Sequence, residues 1–284
     1  MLTPLFRRAG YYSDAPFSPK RIAMKLLPAF VLGIAASLAH GQELVTLQTR
    51  PGVTQSYFLA RVPGNPQAIA VLFPGGAGSI RLRMEDGRAR FSPNNFLVRS
   101  RAEFVNRGVV AAVVDAPSDQ PSGMDDTFRL GEQHYADIAA VVTDLRKRLP
   151  GVPLFLVGTS RGTVSAASLG RRLDSAVDGT VLTATLFLAG RKPGQQGLSD
   201  FDFPTIKSPL LFAHHRRDGC AHTPYREAAR LADKYPLISV SGGLPAKSEP
   251  CEALSEHGFL GKEAETVEAI VNWMLKKPFL REIE

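Results

Sequence analysis

The sequence predicts one domain built on a mostly parallel α/β sheet covered by helices, and three observations carry that reading. Short runs that are apolar on both faces recur along the chain, amphipathic segments at helical spacing alternate with them, and no linker interrupts residues 42–284. Strands buried on both faces read as near-continuous apolar runs, and their alternation with helices is the pattern of a parallel sheet with right-handed crossovers.

The elements follow in order. Glu43–Val62 reads as two strands joined by a turn at Arg50-Pro51-Gly52, expected to add an antiparallel edge. The central strands are assigned to Ala68–Phe73, Val109–Val114, Leu154–Val157, Ala184–Leu188 and Leu210–Ala213, with a weaker run at Leu237–Val240. Ile138, Val141, Val142, Leu145 and Leu149 fall on one helical face, and Pro150-Gly151 ends that helix. Val267, Ile270, Val271 and Met274 do the same before Pro278. The longest irregular segment, Ser79–Arg107, holds a candidate hairpin turning at Glu85-Asp86-Gly87. It follows the first central strand, so it sits over the carboxyl end of the sheet, where open α/β folds bind ligands.

Residues 1–41 read as a leader. Lys20, Arg21 and Lys25 precede the apolar stretch Leu26–Leu38, which ends in small residues around Ala39-His40-Gly41. That is the plan of a secretory signal peptide, with Met24 an alternative start and a buried N-terminal helix the competing reading. Pro28 and Gly33 interrupt a stretch already short for a bilayer, and no cysteine lies near the cleavage zone. The expectation is an exported protein, periplasmic or secreted, with no stable membrane anchor after cleavage.

The formal charge is +7, but the leader holds five of the 34 basic residues and one of the 27 acidic ones, leaving 29 against 26. A net of +3 gives little support to a nucleic-acid partner. The composition, 44% hydrophobic and 21% charged, excludes a disordered or collagen-like chain. Cys220 and Cys251 are the only cysteines, so one pairing is available. An oxidising compartment favours a disulfide, with two buried thiols as the alternative.

The residues that carry chemistry begin with Gly158-Thr159-Ser160-Arg161-Gly162. It follows a strand directly and opens a segment rich in small residues, the context in which a serine projects from a strained strand–helix turn. Pro74-Gly75-Gly76-Ala77-Gly78 closes the first central strand, and its glycines admit a backbone donor near that serine. Gly76 or Ala77, paired with the N–H of Arg161, is the candidate oxyanion hole. Neither G-x-x-x-x-G-K-[ST] nor G-x-G-x-x-G occurs, so neither a phosphate loop nor a dinucleotide site is indicated, and no cofactor is expected.

Asp218 follows the Leu210–Ala213 strand, and His257 lies in a loop before the last helix, giving the order Ser, Asp, His. An alcohol is a poor nucleophile at neutral pH, so Ser160 needs His257 as its base and Asp218 to orient the ring. Asp115 is the main rival acid, with Asp200 and Asp202 behind it. His214, His215, His222 and Cys220 suggest a metal cluster, but neighbours on a strand point to opposite faces, so no metal is assigned. His134 falls on a helix and is expected to be solvated.

With PGGAG, GTSRG, RRDGC and EHGFLG in place, the chain resembles the α/β-hydrolase superfamily over roughly Ala68 to Lys277, and within it the small capless esterases related to dienelactone hydrolases. The resemblance implies about eight strands, an acyl-enzyme reaction on a small-molecule ester, and the triad roles for Ser160, Asp218 and His257. Two departures bear on substrate: Pro74 stands where many members have His, and the nucleophile is Ser rather than Cys. About twenty residues separate the Ala184–Leu188 run from the next, too few for a large cap. A bridge between Cys220 and Cys251 would staple the acid loop to the histidine loop. Ser79–Arg107 would wall the site, its Arg81, Arg83, Arg88, Arg90, Arg99 and Arg101 either favouring an anionic group or forming a solvated surface. A peptidase, an acyltransferase and a silent binding protein are the alternative functions.

Overall fold

The computed structural model describes residues 41–92, 94–191 and 193–284. The leader therefore lies outside the described residues. A hairpin opens the described chain, β1 (Gln42–Arg50) and β2 (Val53–Ala60), antiparallel and turning at Pro51-Gly52. β3 (Ala68–Phe73) follows, then a small separate hairpin of β4 (Arg83–Glu85) and β5 (Arg88–Arg90). Asp86 and Gly87 both have positive φ, 51° and 70°, as a two-residue turn matched to strand twist requires.

Helices α1 (Phe96–Arg99) and α2 (Arg101–Asn106) lead to β6 (Val109–Val114). Then come α3 (Asp126–Leu130), α4 (Glu132–Arg148), β7 (Leu154–Thr159), α5 (Gly162–Leu173) and β8 (Gly179–Thr183). The chain closes with β9 (Leu210–His215), α6 (Tyr225–Arg230), β10 (Leu237–Val240), α7 (Glu263–Met274) and β11 (Glu282–Ile283).

Nine strands form one sheet in the order β1-β2-β6-β3-β7-β8-β9-β10-β11. β1 and β2 make the antiparallel edge, and every pair from β6 onward is parallel. Alternation along β3 separates two cores. Ile69, Val71 and Phe73 pack with Ile138, Val141 and Leu145 of α4, while Ala68, Ala70 and Leu72 share the other face with Val267, Ile270 and Val271 of α7.

One strand is not where its apolar run predicts. The sequence assigns Ala184–Leu188, but β8 is Gly179–Thr183, and Ala184 turns the chain out at φ 42°. Three threonine-or-glycine positions hide the strand's apolar signal, yet they suit its packing. Gly179 meets the rings of Phe155 and Trp273, and Thr183 Oγ1 donates to Gly158 O at 3.0 Å. The apolar run belongs instead to a loop whose Leu186 and Phe187 are buried. The segment before β9 holds only a one-turn helix at Phe203–Thr205, so among the described residues no cap domain covers the carboxyl ends of the strands.

Candidate active site

β7 runs straight into α5 through Ser160, whose φ of 51° places it in the left-handed region. A non-glycine residue there costs about 1–3 kcal/mol and persists only where the surroundings force it. They do so from both sides. Ser160 N–H donates to Thr183 O at 3.0 Å, and Ser160 O accepts from Thr163 N at 2.9 Å. The flanking glycines are sterically required: a Cβ on Gly158 would lie 2.5 Å from Gly162 O, and one on Gly162 would lie 2.1 Å from Phe73 O.

The loop 74–78 folds over this turn. A Cβ on Gly75 would sit 2.9 Å from Ser160 Cβ, so only glycine allows the approach. Gly76, Ala77, Ser160 and Arg161 line one cleft of about 450 Å³. Among the described residues, the N–H groups of Gly76, Ala77 and Arg161 donate to no other backbone group.

On the opposite side, Ser160 shares a cleft of about 240 Å³ with His257, Asn95 and Phe96. His257 sits in the one-turn helix Glu256–Gly258, capped by Ser255 Oγ, which accepts from His257 N at 3.2 Å. Its Nδ1 lies 3.0 Å from Asp218 Oδ2, and its Nε2 has no hydrogen-bond partner. The side chain of Asp218 is fully buried; Oδ1 accepts from Cys220 N at 2.9 Å and Oδ2 from Thr223 Oγ1 at 2.8 Å. With Asp218 holding Nδ1, the imidazole is set with Nε2 free to take a proton. Two larger cavities, of about 670 and 780 Å³, lie against Trp273 and Arg61 and include none of these residues.

Cys220 and Cys251 are joined by a disulfide, and both line the larger cleft. The bridge therefore ties the acid loop to the segment leading to His257. Closing a loop with a sequence separation of 31 is worth roughly 3–4 kcal/mol by loss of unfolded-chain entropy. Cys220→Ser/Cys251→Ser is expected to melt about 10 °C lower in a calorimetric scan, with a reduced kcat from the loosened Asp218–His257 contact.

The structure separates the rivals. Asp115 is spent on backbone: its oxygens accept from Ile80 N and Leu82 N at 2.7 Å and from Ala116 N at 2.8 Å, fixing the chain beyond the glycine loop. Asp200 and Asp202 are exposed. His214 Nε2 lies 2.9 Å from Thr185 N, and His215 bonds Gly242 O, while His222 lines the larger cleft. Among the described residues no group of side chains could hold a metal ion.

His134 corrects the sequence reading, being fully buried rather than solvated. It packs edge-on to Phe73 and beside Phe128, on the α4 face that carries Ile138 and Val141. Burial, reinforced by Arg129, pushes its pKa down to about 3, and burial does the same to His214. Both gain protons in the unfolded chain near 6.5, so their stabilisation is complete above that pH and is lost as pH falls toward 3. Each costs up to about 1.4 kcal/mol per pH unit in that window. The melting temperature is expected to drop steadily from pH 6.5 to 4, less steeply in His134→Phe. A variant as acid-sensitive as the parent would exclude His134 as a cause.

The arginines of Ser79–Arg107 do not wall the cleft; that segment contributes Asn95 and Phe96. Arg83 and Arg90 pair with Glu85, and Arg101 lies over Phe91, its Cζ 4.6 Å from the ring centroid. Arg99 has a different task, donating to Glu263 at 2.9 Å and to Gly258 O at 2.6 Å, which braces the histidine turn. The opposite wall is Ser122–Asp125, a segment that carries no signal in the sequence beyond being a loop. Thr223 was equally silent, since a single threonine after a turn looks like any other.

Comparison with solved structures finds the same architecture repeatedly. Est1E from Butyrivibrio proteoclasticus superposes with a TM-score of 0.56 at 13% identity, over 82% of this chain and 98% of that one. An α/β serine hydrolase without a lid from Xanthomonas campestris gives 0.52 at 13%, over 80% and 94%.

The chain has the α/β-hydrolase fold.

Prolyl endopeptidases share this α/β-hydrolase core with a TM-score of 0.54 at 14% identity, over 84% of this chain and 39% of theirs. The family described as serine aminopeptidase, S33, matches residues 122–234, which include Ser160 and Asp218 but neither the glycine loop nor His257. No curated protein sequence matches the chain. In α/β-hydrolase terms the nine-stranded sheet exceeds the expected eight by the two-residue β11, too short to register as a strand pattern.

Proposed function

We propose that this α/β hydrolase is an exported serine esterase that cleaves carboxylic esters through an acyl-enzyme. One observation carries the proposal. A serine held in a left-handed elbow shares a cleft with a histidine whose Nδ1 is engaged by a buried carboxylate and whose Nε2 is unspent. Ser160 Oγ attacks the ester carbon as His257 Nε2 takes its proton, and the N–H groups of Arg161 and of Gly76 or Ala77 receive the oxyanion. Collapse expels the alcohol, which leaves with the proton from His257. A water then enters by the same route, releasing the carboxylic acid and restoring Ser160. Asp218 stabilises the imidazolium in both halves.

The absence of a cap among the described residues suits esters that approach an open cleft. Export is supported by the leader's pattern and by the disulfide; no helix among the described residues is long and apolar enough to cross a membrane. Labelling with a fluorophosphonate tests the core of the proposal. Wild type is expected to be modified stoichiometrically and Ser160→Ala not at all; a folded wild type that resists the probe would sink it.

The match to a serine aminopeptidase family favours a second reading, peptide-bond cleavage on the same triad. Relative kcat/KM on matched ester and amide substrates separates the two.

A further inference from the structure

Beneath the glycine loop lies a charged group that this chemistry does not use. Arg129, on α3, heads the fully buried side chains by volume, with 1% of its surface exposed. Removing a guanidinium from water is expensive unless its donors are met by well-placed partners, so the partners reveal what the burial achieves. Nη1 donates to Ser165 Oγ at 2.8 Å and Nη2 to Gly76 O at 3.2 Å, while the buried Nε has no hydrogen-bond partner. Burial lowers its pKa to about 10 with Asp126 opposing the shift, so it remains a cation at neutral pH.

Asp126 acts on this arginine through its charge and contacts the other side of the site. Its side chain is fully buried, accepts from Gly197 N at 3.0 Å, and lies 3.3 Å from Arg161 Nε. Arg161 is the residue after the nucleophile, whose N–H forms one half of the proposed oxyanion hole. Gly76 and Ala77 form the other. Arg129 at one half and Arg161 at the other therefore both lie in the field of Asp126.

The bond to Gly76 O has a specific consequence. Gly76 has φ 60°, in the left-handed region that favours glycine, and a Cβ there would meet nothing within 4 Å. In a trans peptide the C=O and N–H point in opposite directions. With Gly76 O drawn inward by Arg129, the Ala77 N–H faces away from the protein interior. If that peptide rotated, a carbonyl oxygen would replace a donor beside the site where negative charge develops. The neighbouring peptides have their own restraints, Gly78 N to Gly75 O at 3.1 Å and Met124 N to Ala77 O at 2.8 Å. Gly78 leaves space for the arginine, since a Cβ there would lie 2.5 Å from Nη2.

We propose that Arg129 is a positioning residue for ester hydrolysis, locking the Gly76–Ala77 peptide so that the loop presents N–H groups to the oxyanion, with Ser165 holding the guanidinium in place. This rests on the serine-hydrolase reading of Ser160. The test compares p-nitrophenyl acetate with its thionoester analogue, whose sulfur is a weak hydrogen-bond acceptor. The ratio of kcat/KM for the oxo over the thiono substrate thus reports the oxyanion hole itself. Arg129→Gln is expected to lower kcat on the oxo ester about 100-fold with KM nearly unchanged, and to reduce the oxo/thiono ratio about tenfold. Ser165→Ala, which removes one anchor only, is expected to shift both in the same direction by about threefold.

A folded Arg129→Gln that loses rate equally on both substrates, keeping the wild-type ratio, overturns the proposal. If Arg129→Gln does not fold, the ratio in Ser165→Ala decides by the same criterion. Failure of the underlying reading looks different: Ser160→Ala would hydrolyse the oxo ester as fast as wild type.

Discussion

His257→Ala is expected to lower kcat on an activated ester by about 10⁴–10⁶-fold, the scale seen when a triad base is removed. The physical reason is that Ser160 then loses the imidazole whose Nδ1 is held by Asp218 and whose Nε2 has no other partner. Among the described residues, His257 is the imidazole that shares the 240 Å³ cleft with Ser160, whereas His214 is turned to Thr185 and His215 to Gly242. The double variant Ser160→Ala/His257→Ala should be no slower than either single change, because the two act as one unit. Steady-state kinetics on p-nitrophenyl acetate, with a thermal melt to show folding, checks both statements. Multiplying losses in the double variant would mean that the two residues work independently.

Asp218→Asn is expected to cost about 10⁴-fold in kcat with KM little changed. Asparagine preserves shape, but its amide can turn an N–H toward His257 Nδ1, favouring the tautomer that puts the proton on Nε2, where Ser160 needs a base. Cys220 N and Thr223 Oγ1 bond different oxygens of the carboxylate, so the single amide oxygen can keep Cys220 N only by turning the NH2 toward His257 and Thr223. Some loss of stability is therefore expected as well, and a melting curve separates it from the kinetic effect. A variant that keeps its activity would transfer the acid role away from Asp218, and Asp115, engaged with three backbone N–H groups, is poorly placed to take it.

The cues that were legible share a physical origin in local constraint. Gly158 and Gly162 stand out in the sequence because a tight elbow tolerates nothing larger, and the structure gives the clashes that a Cβ would make. The helix over Glu132–Arg148 is readable because one face must be apolar to pack on the sheet. The displaced fourth central strand, β8, shows the limit. Gly179–Thr183 lacks a strong apolar signature because three of its five positions are glycine or threonine, Thr183 bonding Gly158 O inside the sheet, whereas Ala184–Phe187 is buried in a loop. Burial alone does not specify secondary structure over so short a run.

The chain by itself determined the strand–helix alternation, the glycine-flanked serine, the order of Ser160, Asp218 and His257, and the single cysteine pairing available. Each depends on residue type or spacing, which a linear reading can see. Only the tertiary structure decided which rival carboxylate meets the histidine, that His134 is buried, that Arg83, Arg90, Arg99 and Arg101 turn to Glu85, Glu263 and Phe91 instead of the cleft, and that Arg129 grips Gly76. Those choices depend on contacts between segments far apart in sequence. A charged side chain on an amphipathic helix looks the same whether it meets water or a buried carbonyl, and the packing of the whole sheet settles which.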